Sequence, residues 1–195
     1  MWALGGFYLS LGPSLAAQLS SSRNLLWGGV IAFLLTGLGA VTSFAFRNSA
    51  PPAVMLGGCI GLLGGAVVTL AAVAAGSPSL LVLGTVVAGL GFGPGNLGAY
   101  RVIMARAIPS NRAGLIAAVS TVNYLAFGLP VLIAGIATSD FGLHYTALVY
   151  SAVIALLALA AAGGLLFEGS ARTRAPRAAT PPHELPPGPC TIPPR

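Results

Sequence analysis

Residues 93 to 98 read GPGNLG and match G-x-G-x-x-G, the spacing with which a glycine turn brings backbone N–H groups against a dinucleotide pyrophosphate at a helix N-terminus. That chemistry requires a preceding strand, a helix opening at the glycines and an acidic residue about 20 positions later for the ribose hydroxyls. The next acid after Gly98 is Asp140, and the chain holds only three Asp and Glu residues. Nucleotide binding is excluded on those grounds. His183, Glu184 and Cys190 are metal-capable types, but their spacing fits no ligand pattern, and Cys59 and Cys190 form no disulfide or metal framework. His144 stands alone and is expected at a membrane headgroup. No set of buried acids, histidines or thiols is available for acid–base or nucleophilic work, so the sequence predicts neither an enzyme nor a metal or cofactor site.

What remains are polar residues spaced along apolar runs. Thr85, Phe92, Asn96 and Tyr100 fall on one stripe of a helix: at 100° per residue Asn96 lies about 20° from Thr85, and Tyr100 about 40° from Asn96. Ser10, Ser14 and Gln18 repeat every four residues, with Phe7 on the same side, and Ser120, Asn123, Tyr124 and Phe127 precede Pro130. Polar stripes on such apolar helices should face other helices or a water-filled path. Glycines mark a second kind of face. Gly57, Gly61 and Gly65 recur at four-residue spacing, as do Gly89 with Gly93 and Gly91 with Gly95, which predicts close helix packing. Pro13, Pro94 and Pro130 interrupt three of the runs, and Pro94 is expected to kink its helix near Gly89 to Phe92.

The elements that carry these stripes follow from composition. The 195 residues are 56% hydrophobic and 6% charged, against roughly 25% charged in a soluble domain. From 48 to 100, fifty-three residues pass without Arg, Lys, Asp, Glu or His, so lipid is the solvent for most of the chain. Backbone groups in lipid must be satisfied internally, by helices or a closed barrel. The apolar runs do not alternate as barrel strands do. Cutting at turn residues and charges gives six spans, at about 2–19, 25–46, 53–75, 80–104, 113–137 and 144–167. The intervening connections include SSSRN, GSPS at 76–79, ARAIPSNR and TSDFGL. The run from Trp2 has no positive stretch before it and is expected to be a retained helix, not a cleaved signal.

Net charge is +6 and every cation is Arg. No basic stripe interleaves with aromatics, so nucleic acid is not an expected partner. Arg47, Arg101, Arg106, Arg112, Arg172, Arg174 and Arg177 collect on one side of the membrane, and Arg23 and Asp140 on the other. The positive-inside rule then puts both termini in the cytoplasm. Residues 1–167 form the membrane domain. Residues 168–195, rich in Pro and poor in large apolar residues, are expected to be a disordered cytoplasmic tail.

The first and fourth segments, GFYLSLGPSLAAQ and GLGFGPGNLGAYR, each carry Gly-Pro amid small and polar residues, and with three spans between their starts they run in opposite directions. That predicts an all-α bundle of six transmembrane helices arranged as two inverted three-helix repeats. WALGGFYLSLGPSLAAQL, GTVVAGLGFGPGNLGAYR and PSNRAGLIAAVSTVNYLAFGLPVLIAGIATSDFGLHYTALVYSAV, which opens with the loop PSNRAG at 109–114, resemble helices seven, ten and eleven to twelve of the major facilitator superfamily, of the bacterial drug-efflux-like kind, over about residues 2 to 167. The resemblance implies half of that fold: a six-helix unit in the cell (inner) membrane that works with an N-terminal six-helix half, or as a homodimer, to move a small organic solute by alternating access without a prosthetic group. It implies that Tyr8, Ser14, Gln18, Asn96 and Tyr100 line the central cavity, with Thr85, Phe92, Asn123 and Tyr124 as further candidates from the stripes. Arg112 would lie near an inner gate, with Arg47, Arg101 and Arg106 at the same end. The segment around Arg47 lacks the usual aspartate and basic cluster of the family's loop between helices eight and nine. A scaffold that uses its glycine faces to assemble with other helices is the alternative role.

Overall fold

The computed structural model describes residues 1–20 and 26–174, with side chains described throughout those stretches except at 109 and 165–174. Arg23, Arg177, His183, Glu184 and Cys190 lie outside the described residues. Six helices make up the described chain: α1 (Trp2–Leu19), α2 (Leu26–Ala45), α3 (Pro51–Ala75), α4 (Pro78–Met104), α5 (Arg112–Phe141) and α6 (Leu143–Arg174), with a 3-10 turn at Pro109–Asn111 before α5. Five of them, α2 to α6, are long and apolar enough to cross a membrane. The first segment, expected as a sixth span, is a helix of 18 residues and reaches only about 27 Å at 1.5 Å per residue. Its Gly5, Gly6, Ser10, Gly12, Pro13, Ser14 and Gln18 make it the least lipid-like. Packed against α2, α4, α5 and α6, α1 meets protein where an outer helix would meet lipid.

The boundaries have local causes. Pro51 and Pro78 sit in the first turns of α3 and α4, where a missing N–H costs nothing. Gly76 ends α3 in the left-handed region, φ 64°, with Ser77 N–H donating to Ala72 O and Gly76 N–H to Val73 O, the paired bonds of a Schellman cap. The predicted break at GSPS therefore falls where glycine allows it. The connection expected over TSDFGL is shorter: α5 continues through Phe141 and the turn is Gly142 alone, at φ 82°, ψ 160°, a conformation open essentially to glycine. α6 runs on past 167 to Arg174, so helix continues into the segment expected to be tail. α4 remains one helix through Pro94.

Packing is tightest between α3 and α4, and the glycines explain why. A Cβ on Gly65 would lie 2.6 Å from Ala88 Cα, one on Gly61 2.8 Å from Gly91 Cα, and one on Gly98 2.6 Å from Met55 N, while Gly58 sits directly on Gly95. Gly57 faces open space, so the contact face of α3 runs through Gly58, Gly61 and Gly65. The opposite side of α4 presents Gly89 to the carbonyls of Leu34 and Leu35, and Gly93 to Gly39 and Ser43 of α2. α4 is thus clamped between α2 and α3. In a membrane no hydrophobic force drives helix against helix, and close backbone approach supplies dispersion contacts instead. At the far side, α5 buries only Ala134, packing on α1 and α6.

Two buried tyrosines fasten α1. Tyr8 is 1% exposed; its hydroxyl pairs with Thr69 Oγ1 and donates to Gly65 O at 3.5 Å. Tyr150 of α6 donates to Ala3 O at 3.0 Å and lays its ring on Phe7 at 5.3 Å.

Candidate functional site

The close approach of α2 and α4 at Gly39 and Gly93 leaves an open cleft beside it, about 370 Å³ in volume, with Thr36, Ser43, Phe92, Asn96 and Tyr100 on its walls. Its origin is local. Glycine at both crossing points lets the backbones nearly touch, so the larger neighbours one turn along are held apart and their polar ends stay accessible. Thr36 donates to Ala32 O at 2.7 Å, leaving its oxygen lone pairs to accept. Among the described residues Asn96 and Ser43 make no side-chain hydrogen bond. Asn96 is half-buried and Tyr100 is exposed. The cleft offers amide and hydroxyl donors and acceptors with two aromatic rings, Phe92 and Tyr100, and no charge, a lining that suits a neutral or weakly polar organic molecule.

Phe92 connects this cleft to the interior. Its ring meets Trp2 edge-on at 5.9 Å, and Trp2 in turn meets Phe127 of α5 at 6.4 Å. Among the described residues the Trp2 indole N–H is buried without a partner, an amphipathic group with its polar end unsatisfied.

The sequence-predicted residues divide into three groups. Phe92, Asn96 and Tyr100 come together in the α2–α4 cleft, at the end of α4 where Arg101 donates to Ser49 O at 3.1 Å. That bond puts the α2–α3 turn and the C-terminal end of α4 side by side, so Arg47, which stacks 4.1 Å above the Phe44 ring, and Arg101 share one end of the bundle. Ser14 and Gln18 on α1 are exposed, as are Arg106 and Arg112, and on α5 Asn123 is half-buried and Tyr124 exposed; none of these lines the cleft. Tyr8 and Thr85 are fully buried, Tyr8 bonded to α3 and Thr85 to Leu81 O of its own helix at 2.8 Å. Pro13 fills the space a Cβ on Gly28 would need, and Pro130 lines a separate apolar groove between α5 and α6. Sequence reasoning missed Thr36 and Ser43. Their signal was present: with Gly39 they fall at i, i+3 and i+7 on an otherwise apolar helix, the spacing of one face. Among the described residues no group of three or more His, Cys, Asp or Glu converges.

Fold and cleft together define an all-helical, membrane-embedded protein with a polar cleft between two closely packed spans. No family model, curated protein or solved structure matches the chain.

Proposed function

We infer that the chain is one six-helix half of a major-facilitator-type secondary transporter, moving a small organic solute by alternating access once a second six-helix half, or a second copy, faces it. The observation that carries this reading is where the unburied polar groups lie. Ser10, Ser14 and Gln18 of α1 are exposed, and Asn96 and Tyr100 open from the α2–α4 cleft, positions that lipid would penalise and that a water-filled path between two halves would solvate. Part of the packing supports two inverted repeats. α2 packs on α4, and its counterpart α5 packs on α1; α3 packs on α6, and α1 touches α4. Each of these pairs maps onto another or onto itself when the first three helices are exchanged with the last three, whereas the tight α3–α4 seam has only the looser α1–α6 contact as its counterpart, and the α1–α2 and α5–α6 contacts have no comparable ones. In this reading the end bearing Arg47 and Arg101 faces the cytoplasm, and the membrane is the bacterial inner membrane. The helix-assembly alternative is disfavoured because two of the three glycines it would use, Gly61 and Gly65, are already covered by α4 of the same chain, which leaves only Gly57 of that row open.

The test is reconstitution in proteoliposomes with a panel of neutral and cationic fluorescent dyes. The chain with an N-terminal six-helix half should support dye flux, and Asn96→Leu and Gln18→Leu should each lower it at least tenfold while the protein remains folded. Flux that survives Asn96→Leu would remove the cleft from the transport path, and flux that survives Gln18→Leu would remove the exposed face of α1.

A further inference from the structure

Between α5 and α6 runs a groove of about 500 Å³, floored by Ala3 of α1. We propose that this groove seats one acyl chain of a membrane aminophospholipid, with the headgroup at the Asp140–His144 turn. The inference requires only that the helices lie in a membrane and does not depend on transport.

Length is the first reason. The groove follows α5 from Leu129 to Phe141 and α6 from Tyr145 to Leu157, twelve residue-to-residue steps along each, or about 18 Å at 1.5 Å per step. A single leaflet contributes about half of the roughly 30 Å hydrocarbon core. One end of the groove is the Gly142 turn, so it opens at the interface and closes about one leaflet deep. Its chemistry is the second reason. Apart from Thr146 and the ring of Tyr150, whose hydroxyl is held by Ala3 O, the walls are aliphatic along their depth, and Phe141 and Tyr145 stand at the mouth with ring centroids 6.2 Å apart, where interfacial aromatics belong. Asp140 and His144 are exposed beside them. The carboxylate of Asp140 complements a lipid ammonium, and the imidazole of His144 can donate to the adjoining phosphate.

The third reason is one hydroxyl. The threonines at 36, 42, 85, 121 and 138 each donate to the carbonyl four residues back, and Thr69 pairs with Tyr8. Thr146 has 5% of its surface exposed, lines the groove, and among the described residues leaves its Oγ1 without a partner. It lies one residue past Tyr145, at the depth where a glycerol ester meets its chain. Threonine in a helix divides between two χ1 rotamers, and rotation brings the hydroxyl to the groove wall in place of the methyl. There it can donate to an ester carbonyl.

The experiment uses the full chain in lipid nanodiscs and a phosphatidylethanolamine bearing a diazirine near the end of one acyl chain, with cross-links mapped by mass spectrometry. Labelling should concentrate around Leu129, Pro130 and Leu157, several-fold above Phe33 and Val41, which are also exposed but line no groove. Ala137→Trp, which fills the groove midway, should cut the deep labelling about tenfold and leave labelling of α2 unchanged. A diether analogue lacks the carbonyl and should label about three- to fivefold less in the wild type, and equally with the diester in Thr146→Val. A phosphatidylglycerol probe should label less than phosphatidylethanolamine, and Asp140→Asn should erase that difference. Uniform labelling over α2 and α5, or a groove shielded from every probe because polypeptide covers it, overturns the proposal. Equal labelling by diester and diether in the wild type overturns the role of Thr146.

Discussion

Substituting Gly91 by Ala tests whether glycine contact holds the bundle together. A Cβ at this position would lie 2.5 Å from Leu62 N, 2.7 Å from Gly61 C and 2.8 Å from Gly58 O. All three are backbone atoms of α3 and cannot swing aside as a side chain would. Ordinary contact begins near 3.4 Å, so α3 and α4 must separate locally by about 0.9 Å. A gap of 0.5–1 Å forfeits roughly a quarter to a half of each dispersion contact along the seam, and overpacking by one carbon costs about 1–3 kcal/mol. Alanine returns about 0.8–1 kcal/mol of helix propensity, which would mask part of the loss. Gly57→Ala supplies the correction: the same helix type and the same propensity gain, with nothing within 4 Å of the new methyl. The difference between the two variants therefore isolates the steric cost, about 1–3 kcal/mol, or a factor of roughly 5 to 150 in the ratio of folded to unfolded protein. Equilibrium unfolding in mixed detergent–SDS micelles, followed by circular dichroism, measures it. Equal midpoints for Gly91→Ala and Gly57→Ala would refute close α3–α4 packing as the source of stability.

Tyr8→Phe removes the bonds to Thr69 and Gly65 and leaves a threonine hydroxyl buried without its partner; a loss of about 0.5–1.5 kcal/mol is expected in the same unfolding assay, with dye flux per folded molecule unchanged. Gly142→Ala forces a side chain into the region at φ 82°, ψ 160° and should cost about 1–3 kcal/mol, read as a lowered melting temperature, whereas Gly135→Ala in the exposed middle of α5 should be neutral or stabilising. Asn96→Leu, at a half-buried cleft position with no hydrogen bond among the described residues, should leave the unfolding midpoint within about 0.5 kcal/mol of wild type while lowering flux; a large loss of stability would mean that Asn96 is structural.

Helix number and most helix ends were legible because they rest on short-range physics. Uncharged runs have no favourable state in water, Pro51, Pro78 and Gly76 act on their own backbones, and the Gly61 and Gly65 spacing marks a face that can approach another helix. The end of α5 was misjudged because Thr, Ser and Asp in TSDF are as compatible with a last helical turn as with a loop, and Gly142 alone fixes the turn. For GPGNLG the letters specified small residues and one amide, and the partners supplied the roles: Gly93 meets α2, Gly95 and Gly98 meet α3, and Asn96 opens into the cleft between α2 and α4.

Periodicity places residues on a face but does not say what covers that face along its length. Phe7 and Ser14 lie on one side of α1 by helical angle, about 20° apart, yet Phe7 is 1% exposed and Ser14 is open. Tyr150 of α6 covers the first turns of α1, donating to Ala3 O and stacking on Phe7, and Ser14 lies beyond its reach. Composition determined by itself that this chain is a bundle of helices in lipid, because every unpaired backbone group or charge is costly there. Which polar residues tie helices together, as Tyr8 does, and which face an open cleft, as Asn96 does, was decided only by where neighbouring helices cross, and that depends on contacts between residues far apart in the chain.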